Sequence, residues 1–259
     1  MEFKRLSGSS IYKYSNFRTM KKLVFFSTTM LLFLSSCVIS GWDQGISGNG
    51  HVVTKSRDIS GFSGVHISSG IDVYLSEGNS FEVTVEADEN LHEVILTEVS
   101  GDLLVVKTDH VSIRNAKSKK VHVTLPKLNV LKISSAGDCE GQTPFHCDDL
   151  RISISSAGNL TLEVDAREID LDISSSGDAR LAGSADIFNA GLSSAGDLNA
   201  FDLIAAKVDV DVSSAGDARV HATEELSMNA SSAGNIFYMG DAKILHSRSS
   251  SAGDIIRRD

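Results

Sequence analysis

Seven copies of the string S-S-[AS]-G-[DN] place an Asp or Asn at one recurring position: Asp138, Asn159, Asp178, Asp197, Asp217, Asn235 and Asp254. If the copies stack, Asp178, Asp197 and Asp217 stand about 4.8 Å apart. Repulsion per neighbour is then on the order of 1 kcal/mol even in a water-like dielectric. Asn159 and Asn235 interrupt the column, and Arg180 and Arg219 lie two residues beyond Asp178 and Asp217 on the same strand face. A divalent cation is the other remedy, because hard cations take stacked carboxylate oxygens. Asp178, Asp197 and Asp217 are therefore a candidate Ca2+ site, although the chain lacks the G-G-x-G-x-D nonapeptide of calcium-binding β-rolls. The plainer alternative is that each carboxylate caps its own turn. Calcium is the only cofactor the residues suggest.

The serines of the same string (Ser135, Ser156, Ser175, Ser194, Ser214, Ser232 and Ser251 in one column) would stack as hydroxyl ladders, since each hydroxyl both donates and accepts. No His or Lys accompanies them at fixed spacing, which argues against a nucleophilic serine. Cys139 and Cys147 lie around Gly141 and Pro144. In an exported protein they could form a disulfide; the alternative is two buried free thiols. The eight histidines follow no metal-ligand spacing, and His146-Cys147-Asp148 near Cys139 is only a weak metal candidate.

Cys37 carries a different chemistry. Met20-Lys21-Lys22 precedes a mostly apolar run, Leu23 to Leu34, and then Ser35-Ser36-Cys37. A basic start, a short apolar run and small residues make a secretory signal. The run is too short for a bilayer, which takes roughly 20 apolar residues. An uncleaved signal anchor is the alternative. Leu34-Ser35-Ser36-Cys37 resembles the bacterial lipobox, which implies cleavage before Cys37 and acylation of its thiol and new amino group. Several acyl chains anchor stably where one does not. Met20 makes a better start than Met1. Residues 1–36 thus read as a lipoprotein signal segment. Residues 37–50, Gly-rich from Gly41, read as a flexible tether.

These chemistries sit in an acidic chain of 259 residues, with 24 Lys+Arg, 34 Asp+Glu and a formal charge of −10. Residues 1–36 hold six of the basic groups and one acidic group, so the remaining 223 carry −15. That charge argues against nucleic acid as a partner. With aromatics at 6%, stacking platforms for bases or sugars are scarce. At 41% hydrophobic residues the chain can bury a core, so global disorder is excluded.

The elements that must position these residues follow from the repeat. The motif glycines, Gly137, Gly158, Gly177, Gly196, Gly216, Gly234 and Gly253, are spaced by 21, 19, 19, 20, 18 and 19 residues. Four residues before them stand Ile133, Ile154, Ile173, Leu192, Val212, Ala230 and Ser249; six before stand Leu131, Ile152, Leu171, Ala190, Val210, Met228 and Ser247. Polar residues separate the two columns, and the period of 2 marks strands with one buried face. A unit of about 19 residues cannot bury that face alone, whereas stacked copies can. The chain therefore predicts an all-β fold, a parallel β-helix (β-solenoid) over 51–259, with seven coils from 131 to 259. The glycine serves the bend or a close approach. Ser247, Ser249 and Arg257-Arg258-Asp259 read as a polar terminal cap. Residues 51–130 alternate in the same way, and Ser76-Glu77-Gly78-Asn79 reads as a hairpin-type turn.

Gly61-Phe62-Ser63-Gly64-Val65, Ser69 to Leu75 (SGIDVYL), Phe81 to Asn90 (FEVTVEADEN), Val123 to Leu128 (VTLPKL) and the SSAGD repeats resemble the "head GIN" auto-transporter adhesin family of bacterial envelope proteins. The resemblance covers about residues 51–259. It implies a right-handed solenoid exported to the envelope of Bacteroidetes-type bacteria, often as a lipoprotein. It implies no catalytic residues.

The leading expectation is a non-enzymatic, lipid-anchored envelope protein, an adhesin or interaction module for a glycan or an envelope or surface protein. A purely structural envelope protein is the alternative. A polysaccharide lyase or hydrolase is a third, on fold analogy alone, and the even coil lengths leave no insertions to wall a cleft. The expected location is the outer membrane. Val38-Ile39-Ser40 carries no acidic export tag, which leaves both periplasmic and surface faces open.

Overall fold

The computed structural model describes residues 45–258. The signal segment, Cys37 and the first part of the tether lie outside the described residues. Alternating apolar and polar residues form strands throughout. The N-terminal part holds β1 (Ile46–Ser47), β2 (Val52–Arg57), β3 (Gly64–Ile67), β4 (Asp72–Glu77), β5 (Glu82–Asp88), β6 (Ile95–Ser100), β7 (Leu103–Thr108), β8 (Ile113–Arg114) and β9 (Lys119–Leu125). A single 3-10 turn, Glu89–Leu91, joins β5 to β6. The repeat region holds β10 (Val130–Ile133), β11 (Asp138–Gly141), β12 (Phe145–Ile154), β13 (Asn159–Ile173), β14 (Asp178–Leu192), β15 (Asp197–Ser213), β16 (Asp217–Ser231), β17 (Asn235–Met239), β18 (Lys243–Ser250) and β19 (Asp254–Arg257).

From β10 onward each strand pairs in parallel with its equivalent one coil away. Ile133 meets Ile154, which meets Ile173, then Leu192, Val212 and Ala230. The fold is the expected parallel β-solenoid with coils of about 19 residues. In β13 the inward residues Leu160, Leu162, Val164, Ile169, Leu171 and Ile173 are all buried. Burying each such side chain stabilises by roughly 1.5–3 kcal/mol, and each coil depends on its neighbours for that burial.

Of the two roles expected of the motif glycine, the corner uses the close approach and leaves the bend to its neighbours. The left-handed backbone falls on the second serine of each motif, with φ from 52° at Ser251 to 71° at Ser214, and in four motifs on the following alanine too. The glycine instead permits close approach. A Cβ on Gly158, Gly177 or Gly196 would lie 2.5–2.6 Å from Cγ2 of Ile133, Ile154 or Ile173 in the coil before.

The N-terminal coils are not stacked in chain order. β3 and β4 pair in parallel with β10 and β11 on one side and with β7 and β9 on the other. The coil of residues 64–77 is therefore inserted between the coils of 103–125 and 130–141. It carries the motif in variant form, Ser68-Ser69-Gly70-Ile71-Asp72, with buried Ile71 in the glycine column. Beyond β7 and β9 the strands turn antiparallel: β6 on β7, β5 on β9, and β2 on β5. These close the end of the core. Two expectations are corrected here. β4 and β5 flank Ser76–Asn79 but are not a hairpin, since both pair with β9. Residues 45–50, the end of the stretch read as a flexible tether, are docked: β1 pairs with β8, and Asp88 accepts the Gly50 N–H at 2.7 Å.

The last coil is polar inward, as Ser247 and Ser249 foretell, and all of β18 except Ser250 is exposed. No strand covers the outer edges of β18 and β19 among the described residues.

Candidate functional site

Stacking brings the carboxylate column together. Asp178 pairs with Asp197 and Asp197 with Asp217. Their oxygens engage protein donors. Asp197 Oδ1 accepts the Asp217 N–H at 3.1 Å, while the Asp197 N–H itself donates to the Gly177 carbonyl at 3.0 Å. Asp217 receives Asn235 Nδ2 at 2.8 Å and Arg219 at 3.4 Å. Asn159 donates to Asp138 in the same way, at 2.7 Å. Arg180 makes no ion pair among the described residues. Burial, and then the Asp197 charge, push the Asp178 carboxyl up. At the N-terminal end the column reaches Asp72 and then Lys120. Among the described residues no group of three or more His, Cys, Asp or Glu is arranged to hold a metal ion.

The two thiols are separate in this structure. Cys139 is buried in an inward column between Val73 and Leu160, and burial pushes its pKa far up. Cys147 donates to the Leu128 carbonyl at 3.1 Å, with its thiol raised to about 11, again by burial. Beside it, His146 bridges coils: Nδ1 lies 2.8 Å from Glu77 and Nε2 3.9 Å from Asp165. The hydrogen bond to Glu77 raises the His146 pKa. One serine does meet a histidine, Ser134 Oγ to His66 Nε2 at 3.5 Å, but that hydroxyl donates to the Ile67 carbonyl. Burial and Lys132 lower the His66 pKa.

The open surface worth most lies on the face through β10 and its successors. Asp170, Asn189, Asp209 and Ser227 form one outward column; Asp172, Gly191, Asp211 and Asn229 form the next. Gly191 leaves a notch between Asp172 and Asp211, and a Cβ there would lie 3.1 Å from Asp172 Oδ1. Two depressions of about 370 and 350 Å³ adjoin across Asp172, Gly191 and Asp211. Burial, then Asp211, raise the Asp209 pKa, while His246 opposes the rise. Asn189 Nδ2 holds Asp170 at 2.9 Å. In the sequence these positions stood only as the polar residues between two buried columns. The signal available was a glycine standing between two aspartates, Asp172 and Asp211.

Comparison with known proteins agrees with the geometry. A crystal structure of a "putative adhesin" from Bacteroides fragilis superposes with a TM-score of 0.77 at 22% identity, covering 83% of this chain and 100% of that one. A "putative lipid binding protein" from Parabacteroides distasonis gives 0.69 at 23% identity, covering 83% and 100%. A "putative adhesin" from Parabacteroides merdae gives 0.69 at 20%, covering 83% and 99%. At these identities the likeness shows the fold. No curated protein matches the sequence. Residues 61–242 match the family described as "Putative auto-transporter adhesin, head GIN domain", and the chain belongs to that family.

Proposed function

We propose that this protein is a non-enzymatic adhesin-like module of the bacterial cell envelope, anchored in the outer membrane through lipid on Cys37. The groove along Asp170, Asp172, Asp209 and Asp211 is its binding face. The observation that carries this reading is the groove's form. It is open and mainly acidic, lined by carboxylate, amide and hydroxyl groups with the Arg151 guanidinium 3.9 Å from Asp170, and spread over successive coils. A regular face of this kind suits an extended ligand, a hydroxyl-rich glycan or a segment of an envelope or surface protein. Family membership supports the adhesin-like role, and the lipobox-like Leu34-Ser35-Ser36-Cys37 supports the anchor.

Glycan-array and whole-cell binding test the groove. Asp172→Lys with Asp211→Lys is expected to abolish the binding seen with the native protein. Binding unchanged by that pair would refute the groove. Mass spectrometry of the mature N-terminus tests acylation of Cys37, and protease shaving of intact cells tells surface from periplasm.

A further inference from the structure

The two ends of the solenoid differ in charge, and both leave a strand edge open on one face. That face runs from β6 through β7, β3 and β10 to the His246–Ser250 half of β18. Among the described residues β18 pairs with β16 alone and β6 with β7 alone, so each presents an edge without a strand on it there. Residues 241–259 hold four Lys or Arg against Asp241, Asp254 and Asp259, and Arg257 pairs with Asp241 at 2.9 Å. Residues 78–102, which hold β5 and β6 at the other end, carry seven Asp or Glu and no Lys or Arg, and β2, paired on β5, adds Lys55 and Arg57. Apolar exposure also collects at the ends. Of the five large hydrophobics left exposed, Ile244 (46%), Leu245 (53%) and Ile256 (37%) lie in the last coil and Val99 (39%) in β6. Lys243 and Arg248, both exposed, make no ion pair with a carboxylate among the described residues.

Charges on an edge strand ordinarily keep like edges apart. Here they do so selectively. Arg248 and Lys243 repel a second β18, whereas Glu93 beside β6 and Glu98 within it, the latter paired with Lys107 at 2.6 Å, attract them. β6 also runs antiparallel to the solenoid strands. A copy shifted along the coil axis therefore offers β6 antiparallel to β18, the geometry of strand addition. We propose that the last coil docks on the N-terminal cap of a second copy of this chain, β18 along the neighbour's β6, so that copies join end to end. The contact is heterologous and leaves both outer ends free to add further copies. It involves neither the groove nor Cys37.

Sedimentation velocity of the full chain in detergent, over a range of concentrations, tests this once bound detergent is accounted for. Association is expected to grow with concentration and weaken with salt. Two charge-reversed chains decide the contact. Lys243→Glu with Arg248→Glu reverses the tail, and Glu93→Lys with Glu98→Lys reverses the head. All four positions are exposed, and circular dichroism with thermal melting checks that each variant folds. Each variant alone is expected to stay single, and an equimolar mixture is expected to associate again, because both mixed contacts are complementary. Native protein that stays single at every concentration would overturn the proposal. So would association that survives either reversal, loss in the tail variant alone, or a mixture that stays dissociated.

Discussion

Within each corner, strain and space are divided between two neighbouring residues. Ser194 holds φ at 66° while exposed to solvent. The left-handed region costs a residue with a Cβ about 1–2 kcal/mol. Ser194→Gly removes that cost but adds freedom to the unfolded chain, so it is expected to stabilise by up to about 1 kcal/mol. Gly196 is two residues on and needs no unusual φ, but Ile173 Cγ2 occupies the place of its Cβ at 2.5 Å. Gly196→Ala is expected to destabilise by about 1–3 kcal/mol, the range for overpacking a core. Urea denaturation of the two variants measures both signs. Equal destabilisation by both would mean that the serine is not strained. The motif's small residues marked the corner in the sequence, and its 19-residue spacing implied that one glycine meets the coil before. The serine's role was hidden, because a backbone angle has no signature in a residue that tolerates both conformations. The aspartate beside it was legible as a column; Asp197 accepts from the next coil's backbone, and the amide donations from Asn159 and Asn235 show how the column tolerates its charge.

Among the elements, β1 and the segment after it show what alternation cannot reveal. Residues 45–50 are glycine-rich and without period, so they read as a tether, yet Asp88 gathers them in. Its carboxylate accepts N–H groups from Gly50 at 2.7 Å, Lys117 at 2.9 Å and Ser118 at 3.1 Å, and it has no exposed surface. Burial opposes its ionisation, but the three N–H donors and the Lys117 charge outweigh that and hold its pKa below the ordinary carboxylate value. A native pKa below the unfolded one gives stability that is present above the unfolded pKa. That stability is lost as pH falls through the native value. The clamp is therefore expected to hold at neutral pH and release in acid, below the usual carboxylate range. Asp88→Ala should speed hydrogen exchange at Gly50, Lys117 and Ser118 by at least about tenfold, the size of one charge-assisted hydrogen bond. A Gly50 protection factor that is unchanged in the variant, or as high in acid as at neutral pH, would show that β1 alone holds the segment. The same limit explains Ser76–Asn79. Glu77 and Gly78 announce a reversal, but the reversal carries β5 past β4 to the far side of β9. Turn residues encode a change of direction and leave the pairing partner to the packing.

For the molecule as a whole, stability should be graded along the coil axis, because each coil is buried by its neighbours. The register from residue 130 onward was readable as a column count, since glycines spaced 18 to 21 residues apart must superpose. The order of the first coils was not, because β3, β7 and β10 alternate alike and any of them could stack on any other. That order has a physical consequence. The coil of residues 64–77 has a coil on either side, at 103–125 and 130–141, and it cannot fray without opening one of them. At the opposite end β18 is almost wholly exposed and β19 buries little. Native-state hydrogen exchange in rising denaturant, at low protein concentration, is expected to show β18 and β19 opening first and at the lowest free energy. Protection should then climb through β16, β15 and β14. The amides of β3, β4, β10 and β11 should open last and together, at the free energy of global unfolding. If β3 and β4 instead exchange before β14, the inserted coil is not locked between its neighbours. Unfolding would then begin at the cap, where the chain leaves its stacking order.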